Sequence, residues 1–205
     1  MTIIIIADSF NKGMKSQGCV GLLPFNKKTN LFQQQYNAIR SVYPKAKIVY
    51  IYGFEAKKFT YFIRSFPSTN LATILNNKYN IYNHGYGLSL VRDYIVEADE
   101  CLVLLGYEPI QVSQIKNLYK LKRSAALISH NKTSNIGCII QKDTNEITNI
   151  FYGLPNSINN IYFLKKPELN ILANILNSNN AYNMFLFETI NAILSQNGKI
   201  GVVNT

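Results

Sequence analysis

A chain of 205 residues, 47% hydrophobic and only 16% charged, carries enough apolar surface to offset the entropy of ordering, so wholesale disorder is excluded and one compact core is expected. Lys and Arg number 21 against 11 Asp and Glu, a formal charge of +10, which favours phosphate-bearing or acidic partners. Apolar runs such as Ile3–Ala7 fall far short of the roughly 20 residues of a spanning helix, and the amino terminus lacks the pattern of a secretory signal; a cytoplasmic protein without membrane association is expected.

Ile3–Ala7 is a β-branched run of the kind found in strands buried on both faces, and the stretch from Asp8 to Gly21 that follows is polar and glycine-bearing. Thr29 is placed to cap a helix in which Phe32, Tyr36, Ile39 and Tyr43 recur at helical spacing and Pro44 closes the pattern. Ile48–Tyr52 predicts the next strand. Gly53 then turns the chain into a helix with Phe59, Phe62, Ile63 and Phe66 on one face, stopped by Pro67. A short strand is predicted at Asn80–Tyr82, then a helix through Leu88, Val91, Ile95 and Ala98, then a fully apolar strand at Cys101–Leu105 ending in Gly106-Tyr107-Glu108. Three alternations of strand and helix argue for a mostly parallel, Rossmann-like sheet flanked by helices, with function at the carboxyl ends of the strands, near Asp8 and Tyr107.

Beyond a helix near Val112–Leu121 the pattern changes. Ala125–Ser129, Ile136–Gln141 and Ile147–Tyr152 read as shorter strands, the last two joined by the Asp143-Thr144-Asn145 turn, and antiparallel additions fit this half. Pro167 and Glu168 open a helix through Leu176. Asn183 is placed to cap another, carrying Phe187, Ile190, Asn191 and Leu194 and ending at Gly198, before a last strand at Ile200–Val203. With no repeat and no long linker, residues 1–205 read as a single α/β domain.

Cys19, Cys101 and Cys138 are widely spaced and read as small buried thiols, and with only His84 and His130 beside them no zinc site is indicated. His84 and His130 are expected on exposed loops. Tyr50, Tyr52, Tyr79 and Tyr82 are read as alternating along strands, half in the core and half exposed. The basic residues are spread as Lys27-Lys28, Lys57-Lys58, Lys120-Lys122-Arg123 and Lys165-Lys166, and no duplex-DNA motif accompanies them.

The order of segments resembles the nucleotidyltransferases of the glycosyltransferase-A type, which activate sugar phosphates or phosphocholine with a nucleoside triphosphate. The resemblance spans nearly the whole chain: IIIIADSFNKGMKSQGCVGLLPFNKKTNLFQQQYNAI stands where that family has its first strand, glycine-rich loop and P-K-x-L element. YPKAKIVYIYGF resembles the second strand, YNIYNHGYGLSLVRDYIVEADECLVLLGYEP the Ser-Leu helix and metal-binding strand, and MFLFETINAILSQNGKIGVVNT the closing helix and strand. The resemblance implies a loop whose amides cradle a triphosphate, an Arg and a Lys that neutralise it, and two aspartates holding magnesium.

Several of those positions depart from the family pattern. If Gly13-Met14-Lys15-Ser16-Gln17 is the loop, Lys15 replaces its second glycine and Gln17 its arginine; a shifted register instead sets Ala7-Asp8-Ser9 there and brings a carboxylate toward the phosphates. The lysine of the P-K-x-L element is missing at Cys19-Val20, leaving Lys15, Lys27 or Lys28 as candidate catalytic cations alongside Gln17. Gly13, Ser16 and Ser89 are the candidate nucleotide contacts, Ser89 also reading as a helix cap. Tyr107 stands at the first metal position and Asn204 at the second, neither an anion at neutral pH. Asp8 and Glu108 are the fallback metal ligands, with Asp93 and Asp99 read as solvated helix carboxylates.

These departures imply a degenerate site without a magnesium or nucleoside triphosphate requirement, and hence a pseudoenzyme serving as a binding or structural component of an assembly with protein partners, with a viral particle as one setting. Two alternatives stay open. One is an active, divergent transferase that uses magnesium and a nucleoside triphosphate on a sugar phosphate or phosphocholine; the other is nonspecific nucleic-acid binding through positive charge.

Overall fold

The computed structural model describes residues 1–9, 18–129 and 135–205. The chain enters on β1 (Thr2–Ala7), whose six residues are all buried. Its Ile side chains alternate between two apolar layers, Ile3 and Ile5 on one face of the sheet and Ile4 and Ile6 on the other. A 3-10 turn at Val20–Leu22 leads to α1 (Leu31–Val42). The cap of α1 is Asn30, one residue beyond the Thr29 expected: its side chain accepts from Gln33 N at 2.8 Å while Gln33 Oε1 accepts from Asn30 N at 3.0 Å, a reciprocal capping box.

β2 (Lys47–Tyr52), α2 (Ala56–Ser65) and β3 (Leu71–Leu75) follow. Asn80–Tyr82 is not a strand. The third strand of this half is Leu71–Leu75, and Asn80–Tyr82 lies in the turn region beyond it. The helical run from Leu88 to Ala98 divides into α3 (His84–Ser89) and α4 (Arg92–Glu97), broken at Val91, before β4 (Glu100–Leu105).

The remaining elements are α5 (Val112–Lys120), β5 (Ala125–Ser129), β6 (Ile136–Gln141), β7 (Glu146–Tyr152), β8 (Ser157–Lys165), α6 (Lys166–Ile175), α7 (Leu186–Ser195) and β9 (Gly201–Asn204). Asn183 does not cap α7, which starts after Phe185; Phe185 N donates to Glu188 Oε2 at 2.7 Å to close its first turn.

The nine strands among the described residues join one sheet in the order β3-β2-β1-β4-β8-β5-β9-β7-β6. β1 pairs in parallel with β2 and β4, β2 with β3, and β5 with β9, whereas β8 is antiparallel to both β4 and β5, and β7 to β6 and β9. The expectation of a mostly parallel sheet is thus corrected to a mixed one. Its cause is β8, a strand absent from the sequence reading, which inserts at the centre and reverses the direction there.

Helices α1, α2 and α5 cover one face through Phe32, Ile39, Phe59, Ile115 and Leu118, and α3, α4, α6 and α7 cover the other through Leu88, Ile95, Leu169, Leu172 and Ile190. Tyr50 and Tyr52, two residues apart, share the first of these faces and do not divide between core and solvent: Tyr50 is fully buried and stacks on Phe59 at 4.7 Å, and Tyr52 packs beside it.

Candidate functional site

The parallel strands β1 to β4 deliver their carboxyl ends to one edge of the sheet, where consecutive backbones approach more closely than side chains would allow. Gly106 N donates to Ile6 O at 2.7 Å, and a Cβ on Gly106 would sit 2.3 Å from that of Ala7. A Cβ on Gly53 would meet Asp8 O at 2.6 Å and Asn76 O at 2.9 Å. Glycine is required at both places by this contact alone. On the far side of β4, Gln35 Nε2 reaches the carbonyls of Leu105, Gly106 and Glu108 at 3.3, 3.2 and 2.8 Å, and so fixes the turn that carries Tyr107.

Asp8 sits at the first of these strand ends and is 2% exposed. Its Oδ2 accepts from Asn76 Nδ2 at 2.7 Å, and Gly87 of α3 closes over it so tightly that a Cβ there would stand 2.7 Å from the same oxygen. Burial pushes its carboxyl up to about 6, against the opposing pull of the Asn76 hydrogen bond. Asp8 is therefore a buried pin between the ends of β1 and β3.

Next to this pin lies a cleft of about 650 Å³. Its floor is Ser9, Leu105 and Tyr107; one wall is the turn Tyr79–His84, and the other is built from Ile136, Tyr152, Asn160 and Phe185–Phe187. Phe185 and Phe187 stack with centroids 6.1 Å apart, Tyr152 meets Phe187 edge-on at 5.3 Å, and His84 meets Phe185 at 5.8 Å. The first turn of α3 is stitched to the segment before α7: Asn83 Nδ2 donates to Asn183 O at 2.6 Å, Gly85 N donates to Met184 O at 2.9 Å, and a Cβ on Gly85 would collide with Ala181 O.

His84 is half-buried in the cleft wall and not on an exposed loop. Its Nδ1 accepts from Leu186 N at 3.2 Å, and burial pushes its pKa down to about 4, so the imidazole is neutral with its proton on Nε2. Desolvation also raises the Tyr107 phenol, with Glu108 and Tyr152 adding to the shift. At neutral pH the described lining therefore offers aromatic faces, phenol and hydroxyl groups, amides and one neutral imidazole.

Among the described residues, the other sequence candidates do not line this cleft. Gly13, Lys15, Ser16 and Gln17, together with His130, lie outside the described residues. Lys27 and Lys28 are exposed in the turn between the 3-10 segment and α1, where Asn26 Oδ1 accepts from Lys28 N and Thr29 N. Ser89 ends α3 and donates to Tyr86 O at 2.7 Å, a bond within its own helix, so it is not an N-terminal cap. Glu108 lines a second cavity of about 400 Å³ beside Gln34, Pro109 and Gln111 and meets the cleft's lining through Asn160, its Oε1 accepting from Asn160 Nδ2 at 3.4 Å; burial raises its pKa. Asn204 ends β9, exposed, in register with Ile128 and separated from β4 by β5 and β8. Asp93 and Asp99 are exposed as expected. Of the candidate catalytic, nucleotide and metal positions among the described residues, Tyr107 lines the cleft, with Asp8 beneath its edge.

A magnesium ion needs carboxylate oxygens, and the chain's eleven acidic residues all fall among the described ones. None lines the cleft. Those at this edge of the sheet are already engaged: Asp8 with Asn76, Glu108 with Asn160, Glu55 with Cys19 N and Lys58, and Glu188 with Phe185 N. The donors present do not fit a hard dication, and no group of three or more potential ligands occurs among the described residues.

Solved structures that share this architecture include three transferases. The chain superposes on the CTP:phosphocholine cytidylyltransferase from Streptococcus pneumoniae with a TM-score of 0.73 at 14% identity, covering 100% of this chain and 89% of that one. It matches the inositol-1-phosphate CTP transferase from T. maritima at 0.76 and 13% identity, covering 99% and 84% of the two chains. It matches the nucleoside-diphosphate-sugar pyrophosphorylase from Vibrio cholerae RC9 at 0.76 and 9% identity, covering 100% and 92%. The chain thus has the α/β fold of the nucleotidyltransferases. No family model and no curated protein sequence matches it. No helix among the described residues is long and apolar enough to cross a membrane.

Proposed function

We propose that this protein is a binding component built on the nucleotidyltransferase fold, taking an uncharged or aromatic portion of its ligand into the cleft and lacking magnesium-dependent nucleotidyl transfer. The observation that carries this reading is the carboxylate inventory: all eleven acidic side chains are placed, and the cleft contains none of them. Nucleotidyl transfer develops charge on phosphoryl oxygens that a bridging dication normally neutralises. Tyr107 and the neutral His84 cannot supply that charge, whereas Tyr79, Tyr82, Tyr152 and Phe187 supply stacking surface, and Asn80, Asn83 and Asn160 supply amide oxygens. The solved transferases named above act with CTP or on nucleoside-diphosphate sugars by their descriptions, so nucleotides are the first ligands to test.

The test is a calorimetric titration of the purified chain with CTP and UTP, with magnesium and with EDTA, paired with a pyrophosphate-release assay containing phosphocholine or a sugar 1-phosphate. Binding of equal strength in magnesium and EDTA, lost in Tyr107→Ala and without pyrophosphate, supports the proposal. Magnesium-dependent pyrophosphate release that Asp8→Asn abolishes would replace it with an active, divergent transferase that uses Asp8 as its cation ligand.

A further inference from the structure

The two faces of the sheet carry opposite charge. Helices α1, α2 and α5 contain six cations, Arg40, Lys57, Lys58, Arg64, Lys116 and Lys120, and no Asp or Glu. Helices α3, α4, α6 and α7 contain two cations, Arg92 and Lys166, and four carboxylates, Asp93, Glu97, Glu168 and Glu188. Of the two helical layers, the first therefore carries a surplus of six positive charges and the second a surplus of two negative ones, the rest of the +10 lying in strands, turns and loops.

Within that layer the surface has a defined composition. Along α2, Lys57, Tyr61 and Arg64 stand at spacings of four and three, one stripe of the helix, directly opposite the buried Phe59 and its half-buried neighbours Phe62 and Phe66. Tyr61 is 81% exposed. On α5, Lys116, Tyr119 and Lys120, at spacings of three and one, are also exposed, Tyr119 being 48% exposed with its ring edge-on to Tyr43 and Phe163, and Lys122 follows just past the helix. Between the two stripes α1 shows a neutral ridge with Asn37 and Ser41 exposed. Lys58 pairs with Glu55, and Arg40 is taken up by the carbonyls of Pro44 and Ala46. No described carboxylate pairs with Lys57, Arg64, Lys116, Lys120 or Lys122.

We infer that the α2–α1–α5 face binds a single-stranded nucleic acid, with the five unpaired cations tracking its phosphates and Tyr61 and Tyr119 offering faces on which bases stack. Charge selects a polyanion, and the interleaving of tyrosine with lysine and arginine selects one whose flat aromatic groups are accessible, which a single strand has and a duplex does not. The face lacks the exposed aliphatic side chains with which a helix enters a lipid surface, Leu121 being the nearest example. This surface is separate from the cleft, which lies at the carboxyl edge of the sheet, and the inference stands whether or not the cleft binds a nucleotide.

The experiment is fluorescence anisotropy of the full chain with a labelled 20-mer of deoxythymidine and a matching uridine 20-mer, over a salt series, beside sedimentation with phosphatidylserine vesicles. With five phosphates neutralised, raising salt from 50 to 200 mM is expected to weaken binding about 130-fold. Lys57→Glu with Arg64→Glu is expected to weaken it at least about tenfold, and Tyr61→Ala about tenfold. Glu97→Lys on the opposite layer adds positive charge without touching the face and is expected to leave affinity within about twofold. An increase with Glu97→Lys as large as the loss with Lys57→Glu would overturn the inference, because net charge alone would then explain the binding. Vesicle binding without oligonucleotide binding, or no oligonucleotide binding at 50 mM salt, would overturn it as well.

Discussion

Asp8, buried, and His84, half-buried in the cleft wall, stand at the same cleft edge and are displaced in opposite directions, Asp8 up to about 6 and His84 down to about 4. In each case desolvation favours the neutral form. For Asp8 the folded protein holds its proton more tightly than the unfolded chain, so the contribution is full below pH 4 and is lost as pH rises to 6. Roughly two units correspond to about 3 kcal/mol. His84 does the reverse: the unfolded chain binds its proton more tightly, so stability is lost as pH falls from 6.5 toward 4. The two oppose each other across one window, so their joint contribution to stability is expected to change little between pH 4 and 6.5, while the raised Glu108 carboxyl favours lower pH. Asp8→Asn removes one side of this balance. Its melting temperature is expected to climb with pH across that window and to exceed that of the native protein at pH 7, with Asn76 still donating to the new side-chain oxygen. Thermal unfolding of both proteins at pH 4.5, 5.5 and 7 measures it; parallel curves would show that Asp8 does not bear the buried charge assigned to it. Neither residue could be valued this way from the chain alone, because an Asp after a strand and a His in a Gly-Tyr loop look solvated until Gly87, Asn76 and Phe185 are known to close on them.

Elements with one strong local signal were readable: the isoleucines of β1, the capped and periodic α1, the apolar β4, and α6 with Pro167 at its start. β8 was not. Asn159-Asn160 interrupts SINNIYFLK at the point where Asn160 takes a positive φ of 42° and the register with β5 slips between Ala126 and Ile128, so two polar residues that mark a bulge in the strand look like a loop in the sequence. β3 was missed because Leu71–Leu75 is a short edge strand, only half buried, while the alternation in Asn80–Tyr82 imitates a strand and serves as a cleft wall. The cleft was correspondingly half legible: its floor at Tyr107 follows from the rule for strand ends, but its far wall comes from β7, β8 and the start of α7, brought there by pairing that no local pattern announces. At the opposite edge, α6 is tied to the sheet by Glu168, 7% exposed, whose carboxylate accepts from the Ser124 hydroxyl and from Lys199 N at 3.2 Å, while Ser124 Oγ accepts from Lys165 N at 2.8 Å. One side chain thus closes the end of β8, the start of β5 and the approach to β9. Glu168→Ala leaves two of these donors unsatisfied and is expected to cost about 2–4 kcal/mol of unfolding free energy in urea with an unchanged slope, and Glu168→Gln about half of that. A loss below 0.5 kcal/mol for the alanine variant would mean that water replaces the carboxylate there and that the three elements are held by packing alone.

At the scale of the molecule, β8 decides whether the sheet behaves as one body or two. On one side of it lie β1 to β4, paired in parallel; on the other lie β5, β9, β7 and β6; and β8 is hydrogen-bonded across the seam to β4 and β5. Phe163 marks the middle of that seam. It is 1% exposed, stands in register with Leu102 of β4 and Ala125 of β5, and meets Tyr119 of α5 edge-on at 6.2 Å. Removing its ring should leave a cavity that both sides line, at a cost of about 3–5 kcal/mol. If the two sides open together, Phe163→Ala lowers hydrogen-exchange protection by the same amount at the slowest amides of β1 and of β9, although neither strand touches β8 in the sheet order. If they open separately, protection falls in one and is retained in the other. The first outcome is expected, because the apolar layers on both faces run without a break from Ile5 through Leu104 and Phe163 to Leu127, and from Ile4 through Val103 and Tyr162 to Val202. Edge strands β3 and β6 should exchange faster than either in the native protein, having a partner on one side over most of their length. Protection that falls at β9 while β1 keeps its native value would divide the molecule at β8, and the cleft, whose floor belongs to β4 and whose far wall belongs to β7 and α7, would then lie across the boundary between two independently opening halves.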